Sequence, residues 1–265
     1  MEIIEIFGYI GALAIGVVLG LIGGGGSILT VPIFVYALSI DPVIATAYSL
    51  FVVGFTSLVG TITNAFNKLI DYKVGITFAI PSLIAVYLTR KWLVPAIPDP
   101  IVNVDIITVT KSAGIMLFFS IVMILASYSM IKKRKQSNVN QKKKLNLFLI
   151  VIEGGIVGVI TGIIGAGGGF LIIPALVILT GLPMKRAVAT SLMIISVKSL
   201  IGFLGDLNHF NIDWIFLCSF TLISMLGIFI GIFLNKFIEG PKLKRAFGWF
   251  ILIMGIYIIC KELIL

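Results

Sequence analysis

At 265 residues the chain is 59% hydrophobic and only 12% charged, with a mean hydropathy of +1.18, a balance that excludes an ordinary soluble domain. Its apolar runs are long and unbroken rather than alternating, which also excludes a transmembrane β-barrel and leaves an all-α polytopic membrane protein in contact with the lipid bilayer. The formal net charge of +9 does not indicate nucleic acid, because the basic residues are confined to short loops between apolar segments.

Taken in order, the apolar runs predict segments at roughly 6–22, 27–40, 43–66, 72–90 and 108–131, then again at roughly 146–164, 169–182, 185–204, 213–235 and 245–264. The first lacks a basic leader and carries Glu2 and Glu5 ahead of it, so it reads as a membrane segment and not as a removed signal peptide. Segments one and two of each set are shorter than the about 20 residues of a straight span. They are expected to be half-helices, giving about 8–10 membrane segments. Three regions follow: 1–131 as a first transmembrane repeat, 132–145 as a basic linker and 146–265 as a second repeat.

The repeat is carried by the residues themselves. Gly23-Gly24-Gly25-Gly26-Ser27, ending at Pro32, returns as Gly165-Ala166-Gly167-Gly168-Gly169, ending at Pro174, 142 positions later. At that offset Gly16 meets Gly158, Gly20 meets Gly162, Ser49-Leu50 meets Ser191-Leu192, Ser57-Leu58 meets Ser199-Leu200 and Asp71 meets Asp213. Agreement over so long a stretch marks two copies of one unit.

Charge then gives orientation. The linker Lys132-Lys133-Arg134-Lys135 through Lys142-Lys143-Lys144 is expected to face the cytoplasm. Lys68 and Lys73 then fall inside, Asp99 and Asp105 outside, Lys185 and Arg186 inside, Asp206 and Asp213 outside, and Lys236 and Arg245 inside. Equivalent loops carry opposite charge bias, as two inverted-topology repeats require. Arg90-Lys91, on the expected outer side, is the exception.

Glycine clusters inside apolar segments break the helix, and backbone freed in lipid must find partners in protein or line a cavity. Their amides, without Cβ atoms in the way, and the positive end of the restarting helix favour an anion. The candidate substrate-binding residues are therefore Gly23, Gly24, Gly25, Gly26 and Ser27 of one break and Gly165, Gly167, Gly168 and Gly169 of the other. Close packing of helices is the competing role for such glycines.

Polar residues within the segments extend the site. Lys198 costs about 2.5–3.5 kcal/mol at a helix centre on insertion scales, so it is expected either to face the interior as an anion ligand or to snorkel to the interface. Thr46 and Ser49, with Thr190 and Ser191 at the equivalent positions, offer hydroxyl donors. Glu153 is a proton-coupling candidate, with pairing near the basic linker as its plainer role. His209 reads as a loop residue, Trp92, Trp214 and Trp249 as an interfacial aromatic belt, and Cys218 and Cys260 as packing residues.

Enzyme motifs are missing: there is no H-E-x-x-H, no base beside Ser27, and neither glycine cluster continues into Gly-Lys-Ser/Thr. The segments lack clustered metal ligands, so neither a catalytic residue, a metal nor a cofactor is expected. The twin glycine breaks with following prolines, the runs Ala45-Thr46-Ala47-Tyr48-Ser49-Leu50 and Ala187-Val188-Ala189-Thr190-Ser191-Leu192, and the basic central loop resemble the sulfite exporter TauE/SafE family. That resemblance implies a multi-pass cell-membrane transporter, in the exporting sense, of small sulfur-containing anions such as sulfite or organosulfonates. An anion channel, or transport of another small solute, stays open, as does homo-oligomerisation.

Overall fold

The computed structural model describes residues 3–24, 26–104, 107–131, 147–207, 209, 211–238 and 240–264. Gly25 and the linker 132–145 lie outside the described residues. Helices α1 (Ile3–Ile22) and α2 (Ser27–Pro32) flank the first break, and α2 continues as a π-helical turn over Ile33–Ala37. Next come α3 (Pro42–Phe66) and α4 (Tyr72–Leu88), the latter running through a π-helical stretch at Thr89–Leu93 into α5 (Val94–Ala96). A small antiparallel ribbon, β1 (Val102–Val104) and β2 (Ile107–Val109), pairs Val102 with Val109. The chain then forms α6 (Lys111–Ile131), α7 (Leu147–Ile164), α8 (Gly169–Thr180), α9 (Met184–Leu204), α10 (Trp214–Asn235) and α11 (Gly240–Ile264).

Helix starts follow from local chemistry. Asp41 caps α3 by accepting from Val43 N at 2.8 Å, with Pro42 occupying the first helical position. Asp71 and Asp213 cap α4 and α10 by accepting from Val74 N at 3.1 Å and Phe216 N at 3.0 Å. These first-turn acceptors satisfy amides that lipid could not.

Five helical stretches are long and apolar enough to cross a membrane: Pro42–Phe66, Tyr72–Ala96, Lys111–Tyr128, Met184–Leu204 and Trp214–Asn235. Their outward faces confirm the setting. On α4, Ile76, Ile80, Ile84 and Leu88 form an exposed stripe at helical spacing, whereas Phe78, Ser82 and Val86 point inward. An outside more apolar than the inside is what lipid selects, so the chain is a multi-pass membrane protein.

Three helices begin at the repeat offset: Ser27, Pro42 and Tyr72 open α2, α3 and α4, and Gly169, Met184 and Trp214, each 142 positions later, open α8, α9 and α10. Packing exchanges the halves. Helix α1 lies on α10 and α7 on α4, while α3 pairs with α9 and α6 with α11. Directions can be read from glycine contacts. A Cβ built on Gly54 would lie 2.8 Å from Leu200, one on Gly60 3.1 Å from Leu192, and one on Gly202 3.4 Å from Leu50, so α3 and α9 run antiparallel. Gly16 and Gly20 face Gly227 and Gly231 in ascending order, and Gly154 and Gly158 face Phe78 and Ser82, so α1/α10 and α4/α7 run parallel. Gly8 meets Leu38 and Gly11 meets Ile33, so α2 folds back along α1 as a hairpin.

The α1–α10 seam is a reciprocal small-residue contact: a Cβ on Gly16 would lie 2.9 Å from Gly227 Cα, and one on Gly20 2.8 Å from Gly231 Cα. Replacing Gly227 by leucine is expected to lower the melting temperature in detergent by several degrees, because overpacking against backbone costs about 1–3 kcal/mol. An unshifted melting curve would mean that the seam opens without cost.

Several expectations need correction. Segment one of the first half is longer than expected, since α1 has 20 residues, whereas α7 stays short at 18 and α2 and α8 are shorter still. Segment four does not stop at Arg90, because the helical rod continues to Ala96 and takes Arg90 into the interior. Cys218 and Cys260 are free and exposed on the outer surface, not packed.

Candidate functional site

Each glycine break is an elbow turned by a left-handed residue at the same relative position. Gly23 has φ +83° and Gly165 has φ +69°, a region that costs a side-chain-bearing residue strain. Their last helical bonds are ordinary, from Gly23 N to Leu19 O at 2.7 Å and from Gly165 N to Thr161 O at 2.9 Å.

The elbows cross to the opposite half. A Cβ on Gly23 would lie 2.9 Å from both Ser191 Oγ and Val188 Cγ1 of α9, and one on Gly165 would lie 2.6 Å from Thr46 Cα of α3. Beyond these turns, Gly24 and Gly169 meet backbone to backbone, so closely that a Cβ on either would overlap the other's Cα. Gly167 packs beside Val53, Ser27 and Ile195. Val53 and Ile195 lie near the middles of α3 and α9, so the elbows meet halfway along the central helix pair.

Neither restarting helix has a side-chain cap. At the second elbow Leu171 N and Ile172 N donate to Gly168 O at 3.0 and 3.1 Å, and Gly168 N donates to Ala166 O. The amides of Gly167, Gly169 and Phe170 have no acceptor among the described residues. At the first elbow Ser27 Oγ donates to Gly24 O at 2.6 Å, which fastens the turn and leaves the hydroxyl oxygen able to accept.

Lys198 is the charged member. Its side chain is 1% exposed and its Nζ donates to Thr161 Oγ1 at 2.9 Å, close enough to the elbow that a Cβ on Gly168 would lie 2.9 Å from Nζ. It does not snorkel. The ammonium has no carboxylate partner among the described residues, so one hydroxyl meets a charge that buried cations ordinarily need fully compensated.

The hydroxyl candidates divide. Ser49 Oγ is buried with no partner among the described residues, whereas Ser191 Oγ donates to Val188 O at 2.8 Å and Thr46 Oγ1 to Val43 O at 2.7 Å. Thr190 Oγ1 accepts from Asp71 N at 3.0 Å, and its counterpart Tyr48 accepts through its hydroxyl from Asp213 N at 2.9 Å. Those two bonds tie each α3-type helix to the following loop of the other half. Glu153 sits near the start of α7, about 18 Å along the helix from Gly165, and is not part of the cluster.

Two features were not anticipated. One is a cavity of about 290 Å³ whose exposed rim carries Asn67, Lys185 and Lys236 and whose inner wall includes Gly20, Asn64 and Val188. Val188 abuts Gly23, so the cavity floor reaches the back of the first elbow. The other is a buried ion pair, Arg90 Nε to Asp206 Oδ2 at 3.1 Å, joining the end of α4 to the turn after α9. Asn64 and Lys185 were readable as polar residues near loops, but nothing in the pattern joined them.

Helices with an apolar outer face and a polar cluster buried among them define a multi-pass membrane protein with an internal polar site. The family model described as sulfite exporter TauE/SafE matches residues 9–258, and the chain belongs to that family. It is 26% identical over 254 residues to a probable membrane transporter protein of Xylella fastidiosa (strain 9a5c), covering 94% of this chain and 92% of that protein. It is also 26% identical over 268 residues to the probable membrane transporter protein YunE of Bacillus subtilis (strain 168), covering 92% and 93%. A probable membrane transporter protein of Methanocaldococcus jannaschii, MJ0441, is 35% identical over 119 residues, 43% of this chain and 45% of that protein. No solved structure matches. The family is described as an exporter and these relatives as probable membrane transporters, so the chain is a membrane transporter and not an enzyme.

Proposed function

We propose that this transporter exports small sulfur-containing anions, sulfite or organosulfonates, through a site formed by the two glycine elbows and Lys198. The observation that carries the reading is the buried amine of Lys198, held by one hydroxyl next to a break where the amides of Gly167, Gly169 and Phe170 have no acceptor among the described residues. An oxyanion supplies the charge and the acceptors that this cluster lacks, and three amides with an ammonium match its oxygens. Gly23, Gly24, Gly25, Gly26 and Ser27 of the first elbow, Gly165 and Gly168 of the second, and the hydroxyl residues Thr46, Ser49, Thr190 and Ser191 complete the proposed surround. Glu153 is proposed as the proton carrier at a distance from the anion.

The halves are inverted-topology repeats in this reading. Antiparallel α3/α9 and parallel α1/α10 and α4/α7 support it, since each is the arrangement a dyad in the membrane plane produces, and the α1–α2 hairpin leaves each half the odd number of passes that inversion needs. With the basic linker cytoplasmic, Lys68, Lys185 and Lys236 share the inner side, and the cavity that Lys185 and Lys236 border is the cytoplasmic entrance.

Purified protein in liposomes provides the test. Sulfite or a sulfonate trapped inside should accelerate uptake of labelled anion from outside, and choline should not. Cation preference would overturn the site, and anion flux without counterflow would make the protein a channel.

A further inference from the structure

The cavity and the buried ion pair occupy the same place in the two halves. At the 142-residue offset Asn64 of the cavity corresponds to Asp206, Asn67 to His209, Ile232 to Arg90 and Gly20 to Gly162. Because α3 and α9 run antiparallel, the two places lie at opposite ends of the central helix pair. One end is open, with a neutral asparagine and an isoleucine across a cavity. The other is closed, with an aspartate and an arginine in contact.

The closed end is tight. Arg90 is 0% and Asp206 2% exposed, and a Cβ on Gly205 would lie 3.1 Å from Arg90 Cβ. The pair is also incompletely satisfied: the Nε contact is not an aligned hydrogen bond, and Nη1 and Nη2 have no partner among the described residues. A buried pair so poorly hydrogen-bonded contributes little to stability, so stability alone does not account for it. It does hold α4 of one half to the end of α9 of the other.

We infer that Arg90–Asp206 is the closed gate of the end opposite the Lys185–Lys236 cavity, and that its parting opens an equivalent cavity bordered by Gly162 and Asp206. This rests on the transport reading. The structure then represents the state open toward the Lys185 side. Asn64 and Ile232 cannot form an ion pair, so the two ends close with unequal strength and the open-to-Lys185 state is favoured at rest.

Accessibility tests this without any substrate, so a wrong choice of anion leaves the result interpretable. In a Cys218→Ser, Cys260→Ser background, single cysteines replace Val188, which borders the open cavity, and its counterpart Thr46, which is 0% exposed. A membrane-impermeant thiol reagent should modify Val188→Cys from the Lys185 side and leave Thr46→Cys nearly inert. Neutralising the pair with Arg90→Gln and Asp206→Asn should speed modification of Thr46→Cys from the opposite side at least roughly tenfold, given the coupling of close charge pairs, and slow that of Val188→Cys. Should the double variant fail to insert, Arg90→Lys, which keeps the charge but loses the guanidinium fork, should give a smaller change in the same direction. Unchanged rates at both cysteines in an inserted variant would make the pair a static tie and overturn the gate.

Discussion

Replacing Gly169 by valine is expected to abolish anion flux while the protein still reaches the membrane. Gly169 and Gly24 approach so closely that a Cβ on either would overlap the other's Cα, and the obstacle is backbone, not a side chain that can change rotamer. Overpacking costs about 1–3 kcal/mol even where neighbours yield, so a loss near the upper end, roughly a hundredfold, is expected. The elbows would separate and the second break would be displaced from Lys198. Gly155→Val is the matched control, since a Cβ there meets nothing within 4 Å, and it should transport as the native chain does. Native flux in inserted Gly169→Val would show that the elbow contact is dispensable.

Lys198→Met carries the second large effect. Methionine keeps the volume and loses the charge, so the packing against the elbow is retained while the anion loses its counter-charge. Hydrogen bonds to charged groups contribute about 1.5–3 kcal/mol, which predicts anion affinity weaker by roughly 10- to 100-fold. The same change removes a buried, poorly compensated ammonium, so thermal stability should hold or rise. That pair of outcomes separates a ligand from a structural lysine: weaker binding with undiminished stability is the signature of the first. Unchanged affinity would remove Lys198 from the site.

Much of this arrangement was legible before any coordinates. Glycine clusters in apolar runs have few physical uses, and the 142-residue repeat located both elbows and the starts of α2, α3 and α4 with their counterparts. Lys198 stood out because a charge in a long apolar segment is costly. What stayed hidden depends on contacts between halves. Arg90 looked like a misplaced loop charge because its partner Asp206 lies in another repeat, and at the repeat offset it faces only Ile232. Thr190 reads in sequence only as one of four candidate hydroxyl donors, because its acceptance of Asp71 N crosses between halves. Segment four reads as ending at Arg90 because charged Arg90-Lys91 interrupt the apolar run, and nothing in the sequence marks the π-helical stretch Thr89–Leu93 that carries the helix past them. Charge does not settle the return of α2 along α1, since a hairpin gives three passes per half and two full crossings give five, both odd.

The most direct measurement is an anomalous-diffraction map of the protein crystallised with 2-bromoethanesulfonate, whose bromine marks the ligand and whose sulfonate seeks the anion site. The account predicts one bromine peak between the halves, with sulfonate density within hydrogen-bonding distance of Lys198 Nζ and the amides of Gly167, Gly169 or Phe170. A bromine bound only at the Lys185–Lys236 rim, with the elbows and Lys198 empty of ligand, would contradict it.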